Sequence, residues 1–195
     1  MPPAGRPRAS SKPMLEEAAS ELFLEQGYAK TTIEQITRRA GVSRNTFFNY
    51  FASKSDLLWI ELDASLAALA GALAEAPAGE GADPLTALEG ALHRTAEGIT
   101  ATRAPLVLTQ GQAMGIDDEL RAAGLARALA HADAVELFLA GRGLDPLVAR
   151  AAALAVVGAS AAAIGRWAAD GPDRGPLVTY LDRVVHPVLE GFRIG

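Results

Sequence analysis

In the run GVSRNTFFNYF, residues 41–51, side chains able to make directed hydrogen bonds alternate with aromatic rings. Arg44, Asn45, Thr46 and Asn49 carry the donors and acceptors, and Phe47, Phe48, Tyr50 and Phe51 supply the bulk. A guanidinium presents parallel N–H donors, and an amide presents a donor beside an acceptor. Those groups match the edges of guanine and adenine exposed in a DNA major groove. The chemistry implied is recognition, and nothing elsewhere in the chain competes with it as catalysis. His93, His131 and His186 are far apart and lack metal-ligand spacing. No serine sits in a nucleophile-elbow context. Asp117 and Asp118 fall at an expected helix start, where carboxylates suit the helix dipole. The chain has no cysteine, so disulfides and thiolate metal sites are excluded, and a reducing cytoplasm is the simplest compartment. No enzyme activity, metal or cofactor is expected.

Reading groups need a rigid mount. Apolar residues recur at helical spacing throughout, with no alternating strand pattern, so the expected fold is all-α with about nine helices. Leu15, Ala18, Ala19, Leu22 and Phe23 form a first stripe, ended by Gly27. Thr31, three residues before Glu34, predicts a capping box that opens a helix running to Gly41. Ser43 is placed to cap a short helix over 43–50, and Ser53 a long one with Asp56 in its first turn. Helix 31–40, the turn at AGVS and helix 43–50 make a helix-turn-helix, whose second helix enters the major groove by its N-terminal residues. A helix this short does not hold in water alone, so Phe47 and Phe51, four apart, must anchor it.

Charge supports an anionic partner for this region. Through Ile60 there are eight basic and six acidic residues, whereas the remainder carries ten and seventeen. A small basic head on an acidic body points to an anionic partner for the head, with a randomly fluctuating surface as the plain alternative. The divisions expected are a disordered basic arm over 1–12, a DNA-binding head over 13–56 and a larger domain over 57–195. The segment APAGEGADP, residues 76–84, reads as a linker. Further helices are expected near 84–102, 104–114, 117–140, 145–170 and 176–193. The longest uncharged apolar run, residues 151–165, is shorter than the ~20 residues of a membrane span and reads as a buried helix. Arginine outnumbers lysine fifteen to three, as in a GC-rich bacterial genome.

Residues 14–58 resemble the N-terminal domain of TetR-family transcriptional regulators. The resemblance is carried by Gly27–Tyr28, Thr31–Thr32, Ala-Gly-Val-Ser at 40–43, the Thr46 to Phe51 run, and Lys54 before Ser-Asp-Leu. It implies that Arg44, Asn45 and Asn49 read base edges, and that Thr31, Thr32, Thr46, Tyr50 and Lys54 contact phosphates. Family members commonly carry tyrosine where this chain has Phe48, so that a phosphate-bonding hydroxyl is missing; the alternatives are that Tyr50 compensates or that Phe48 contacts sugar or a thymine methyl. The resemblance further implies a homodimer on a palindromic double-stranded operator. It also implies release by a small hydrophobic molecule, in one subgroup an acyl-CoA-like one. Repression in a bacterial cytoplasm is the function expected, with no membrane partner. An effector-independent DNA binder and a helical protein-interaction module are the alternatives.

For a pocket, the sequence offers polar or aromatic residues on apolar stripes. They are Trp59, Asp63 and Leu66; Gln110 near Met114; and His131 with Val135. Each is equally readable as a satisfied core residue. Helices 145–170 and 176–193, rich in small or apolar residues, could form a dimer seam or an ordinary intramolecular core.

Overall fold

The computed structural model describes residues 8–77, 82–99, 118–171 and 174–193. Their regular structure is entirely helical: α1 Arg8–Gln26, α2 Ile33–Arg39, α3 Arg44–Phe48, α4 Asp56–Ala74, α5 Pro84–Glu97, α6 Asp118–Ala140, α7 Pro146–Ala169, α8 Leu177–Asp182 and α9 Val185–Arg193. The all-α expectation holds, although these are not the nine helices expected. The segment near 104–114 lies outside the described residues. The single helix expected over 176–193 is two, α8 and α9, broken at Arg183–Val184. Pro187 has no N–H to offer the carbonyl of Arg183, and its ring crowds that carbonyl, so the helix cannot run through.

Residues through Ile60 form one compact unit; among the described residues, 61–99 and 121–193 form another. In the first, Leu15, Ala18, Ala19, Leu22 and Phe23 of α1 are all buried, as their spacing requires. Gly27 ends the helix at φ 85°, where a side chain would be strained. Residues 8–12, expected in a disordered arm, are instead the first turns of α1. Pro13 removes only one hydrogen bond there, close to the free end, and Lys12 pairs with Glu16 at 3.8 Å.

Of the three expected caps, those at α2 and α4 shift. The box opening α2 is Thr32 with Gln35, not Thr31 with Glu34: Gln35 N–H donates to Thr32 Oγ1 at 3.2 Å, and Thr32 N–H to Gln35 Oε1 at 2.8 Å. At α4 the helix begins at Asp56, and the capping runs backwards from it. The Asp56 carboxylate accepts the amides of Ala52 (2.8 Å) and Ser53 (3.0 Å) and the Ser53 hydroxyl (2.9 Å). The turn after α2 follows expectation. Gly41 has φ 66°, its N–H donates to Arg38 O, and Val42 N–H donates to Thr37 O at 2.9 Å, closing a Schellman motif.

In the second unit, α5 and α7 start alike, with Asp83 and Asp145 as N-caps ahead of Pro84 and Pro146. Its core is built on Leu88, Ala132, Val135, Leu139, Ala152, Val156 and Leu189. At the rim, His93–Asp182, His186–Glu89 and Arg193–Asp83 tie α5 to α8 and α9.

Candidate nucleic-acid interface

α3 has five residues, and its two sides differ sharply. Ser43 caps it, accepting from Thr46 N–H at 3.0 Å. Phe47 is fully enclosed, 5.5 Å from the ring of Phe51, which is also buried beside α1 and α2. Arg44, Asn45, Phe48 and Asn49 lie on the opposite side, one helical face by their i, i+4 spacing, and all four are exposed. Phe48, 45% exposed, sits edge-on to Phe47 at 5.3 Å. An open aromatic beside a guanidinium and two amides can meet sugars or thymine methyls while its neighbours bond base edges. The structure thus brings together the three expected readers and Phe48. Thr46 and Tyr50, half-buried, flank them; Thr46 Oγ1 lies 2.9 Å from Ser43 Oγ.

Two expected phosphate contacts are spent elsewhere. Thr31 is 1% exposed; its hydroxyl donates to Gly27 O at 2.9 Å and accepts from Gln26 Nε2 at 3.1 Å. The adjacent Thr32, exposed at the N-cap, is the member of the pair at the surface. Lys54 Nζ donates to Tyr28 O (2.7 Å) and Thr31 O (2.8 Å) and lies 3.9 Å from the centre of the Tyr28 ring. An ammonium committed to two carbonyls serves to lock the α1–α2 turn to the start of α4. Sequence spacing could not separate these uses from phosphate contact, because a threonine pair and a lysine satisfy either.

The remaining cations divide into bound and available. Arg39 is held by Glu21 at 3.0 Å and Glu25 at 2.8 Å; these bonds raise its proton affinity and lower that of Glu25. Arg44 donates through Nη1 to Glu34 Oε1. Lys30 and Arg38, both exposed, make no ion pair among the described residues. They are candidate phosphate contacts that the resemblance did not supply. Their signal was present only as the basic surplus of the head.

Of the residues proposed from sequence to line a pocket, Asp63 and His131 come together around Arg127, and the others are placed apart from them or are undescribed. Gln110 and Met114 lie outside the described residues. Trp59 is buried in the first unit, Val135 is fully enclosed in the core of the second, and Leu66 is half-buried. Asp63 is taken by Arg127, at 2.7 and 3.1 Å. His131, half-buried, has Nδ1 3.0 Å from Arg127 O. A cavity of about 380 Å³ in the second unit is lined by other residues: Ala96, Glu97, Ile99, Trp167, Arg174, Leu177 and Val178 among them. Trp167 Nε1 donates to Gly175 O at 2.8 Å, and the Arg174 guanidinium lies 4.3 Å from the Trp167 ring centre. Looking for polar residues on helical stripes could not find Arg174, which sits in the Gly- and Pro-rich connection to α8.

Burial lowers the proton affinity of His131 below the ordinary 6.5, opposed by the Arg127 carbonyl and by Asp63. On acidification the unfolded chain therefore takes up this proton first. The contribution of neutral His131 is present above about pH 6.5 and is lost as pH falls through the lower folded value. The melting midpoint of His131→Gln should accordingly fall less between pH 7.5 and 5.5 than that of the parent. Parallel melting curves across that range would exclude the effect.

Residues 15–58 match the family described as bacterial regulatory proteins, tetR family. Over 83 residues the chain is 42% identical to the transcriptional regulator TcmR of Streptomyces glaucescens, a match covering 43% of this chain and 36% of that one. Against the curated relatives it matches, the chain spans about a third of their length or less. In fold the likeness is wider. The chain superposes on NalD of Pseudomonas aeruginosa, described as the secondary repressor of a multidrug efflux pump, with TM-score 0.65 and 23% identity, over 95% of this chain and 98% of that one. It superposes on Thermus thermophilus FadR, a repressor solved with lauroyl-CoA, with TM-score 0.58 and 26% identity, over 92% and 93%. It is the helix-turn-helix head, residues 15–58, that is similar to the tetR family of bacterial regulatory proteins.

Proposed function

We propose that the protein is a homodimeric, sequence-specific DNA-binding repressor, released from a palindromic operator by a small apolar effector, and that it has no catalytic role. The observation that carries this reading is the outward face of α3, where Arg44, Asn45, Phe48 and Asn49 stand exposed on a helix pinned by Phe47. In this reading the head, ending near residue 56, reads DNA, and the domain beyond it binds effector and dimerises, in the cytoplasm.

α7 supports the dimer. Its inner face packs on the core through Ala149, Ala152, Ala153, Val156 and Trp167. Its outer face exposes Leu147 (78%), Leu154 (44%), Ala151, Gly158, Ala162 and Gly165, and a Cβ added at Gly158 or Gly165 would meet nothing within 4 Å. A small-residue stripe of this kind lets two helix axes approach closely across a two-fold. Two helices, Asp56–Ala74 and Pro146–Ala169, are long and apolar enough to cross a membrane, the second a 24-residue helix that outruns the apolar stretch seen in the sequence. For α7 the apolarity has a use on both faces without a bilayer.

The cavity supports the effector. At about 380 Å³ it lies near the lower end of the roughly 300–1,000 Å³ usual for small-molecule sites. Fold relatives hold ligands with a large apolar part: lauroyl-CoA and stearoyl-CoA in two proteins named FadR, and triclosan in SmeT. A compact hydrophobic molecule against Trp167 and Leu177 fits this chain better than a complete long-chain acyl-CoA.

The test begins with duplexes selected from a random pool. They should share a palindrome and bind two chains each, with half-sites one helical turn or a multiple apart. Arg44→Ala should then cost about 1–3 kcal/mol on the selected site and relax base preference there. A pool that yields no consensus, or an Arg44→Ala protein with unchanged preference, would remove the reading.

A further inference from the structure

The pair formed by Arg44 and Glu34 crosses the helix-turn-helix, from the first residue of α3 to the first turn of α2. Both side chains remain more than half exposed, and the guanidinium carbon also lies 5.5 Å from the centre of the Phe48 ring. Exposed ion pairs contribute little to stability, so the fold does not depend on this one. Its position matters more. The other described head carboxylates with partners bond groups that are not on the exposed face of α3: Glu16 to Lys12, Glu21 and Glu25 to Arg39, Asp56 to the amides of Ala52 and Ser53. Glu34 alone among them bonds a residue that faces the groove.

We propose that Glu34 is a specificity-determining positioning residue, which holds Arg44 towards base edges and keeps it off phosphates. The inference rests on the DNA-binding reading above. Arg44 has five N–H donors, and Glu34 engages Nη1, leaving the Nε–Nη2 edge for the paired acceptors of a guanine. A guanidinium held at one side loses less freedom when it docks. The same carboxylate places a negative charge where Arg44 would otherwise swing to a phosphate. Non-specific affinity comes almost wholly from phosphate neutralisation, so this repulsion weakens binding to wrong sequences more than to the right one. Discrimination is that difference, and a repulsive element can supply it.

The experiment measures binding of the full-length protein to a selected operator and to a scrambled duplex of equal length, across a salt series. For Glu34→Gln, affinity for the scrambled duplex should rise roughly 3- to 10-fold, with a salt slope steeper by about one unit. Operator affinity should change less, so the ratio falls. Glu34→Asp retains the charge but, one methylene shorter, cannot make the same bond. It should lose operator affinity while binding to the scrambled duplex stays low. In an Arg44→Ala background, Glu34→Gln should leave the ratio unchanged.

Equal shifts on both duplexes in Glu34→Gln, or a Glu34→Asp protein indistinguishable from the parent, would overturn the proposal. So would a change of ratio that persists without Arg44. Absence of any sequence preference in the parent would instead remove the DNA-binding reading, and this inference with it. Because Glu34 also suits the dipole of α2, melting curves of each variant accompany the titrations. Intact folding with a fallen ratio supports the positioning role, and affinities that change on both duplexes only in proportion to unfolded protein overturn it.

Discussion

Phe47→Ala is expected to unfold the N-terminal unit and abolish operator binding. Phe47 is fully enclosed, and its ring contacts those of Phe48 and Phe51. Truncating a buried phenylalanine costs about 3–5 kcal/mol, part lost transfer energy and part cavity. A head of about fifty residues, at roughly 0.05–0.15 kcal/mol per residue, holds only about 3–7 kcal/mol in all. α3 has five residues and no stability of its own, so losing its anchor loses the reading face. The neighbour provides the contrast: Phe48, 45% exposed, should change stability by about 0.5 kcal/mol or less on truncation to alanine, while still altering DNA affinity. Circular dichroism melts and operator titrations of the two variants separate anchor from contact. A Phe47→Ala protein that melts with the parent would refute the assignment.

Trp167→Ala should have an effect of similar size in the other unit. Trp167 is 1% exposed and is the largest fully buried side chain among the described residues. Its removal deletes the wall of the cavity, the hydrogen bond to Gly175 O and the surface on which Arg174 stacks. About 3–5 kcal/mol is expected again. This unit is more than twice the size of the head, so the outcome is a folded protein whose midpoint falls by roughly 12–20 °C. Trp167→Phe keeps most of the ring but strips the donor, and should cost about 1–3 kcal/mol through the unsatisfied carbonyl. Circular dichroism follows the transition, because the tryptophan that remains, Trp59, lies in the other unit. If alanine and phenylalanine variants melt alike, the packing of the ring is not what matters there.

Much of the head was legible before any coordinates. The stripe of Leu15, Ala18, Ala19, Leu22 and Phe23, the glycines at 27 and 41, and the cap at Ser43 are local signals. Each is a preference of a few neighbouring residues for one backbone shape, and each appears where its spacing places it. The exposed set of Arg44, Asn45, Phe48 and Asn49 follows from the same periodicity once Phe47 and Phe51 turn inward. The capping box was misplaced by one residue because Thr31-Thr32-Ile-Glu-Gln fits two registers, Thr31 with Glu34 or Thr32 with Gln35. The burial of Thr31 against α1 decides between them.

What the sequence by itself determined is therefore helix, turn and face: the all-α class, the helix-turn-helix and the side of α3 that is left exposed. These depend on periodicity and capping within a few residues of chain. The tertiary structure alone decided which polar groups are already spent. Lys54 closes on Tyr28 and Thr31 across more than twenty residues, Asp63 meets Arg127 across sixty-four, and Trp167 and Arg174 share a cavity wall with Ala96 and Ile99. A lysine, a carboxylate or an indole looks the same in sequence whether its partner is solvent, a ligand or a distant carbonyl. Its role is set by which groups the packed helices bring within about 3 Å, and no local pattern carries that distance.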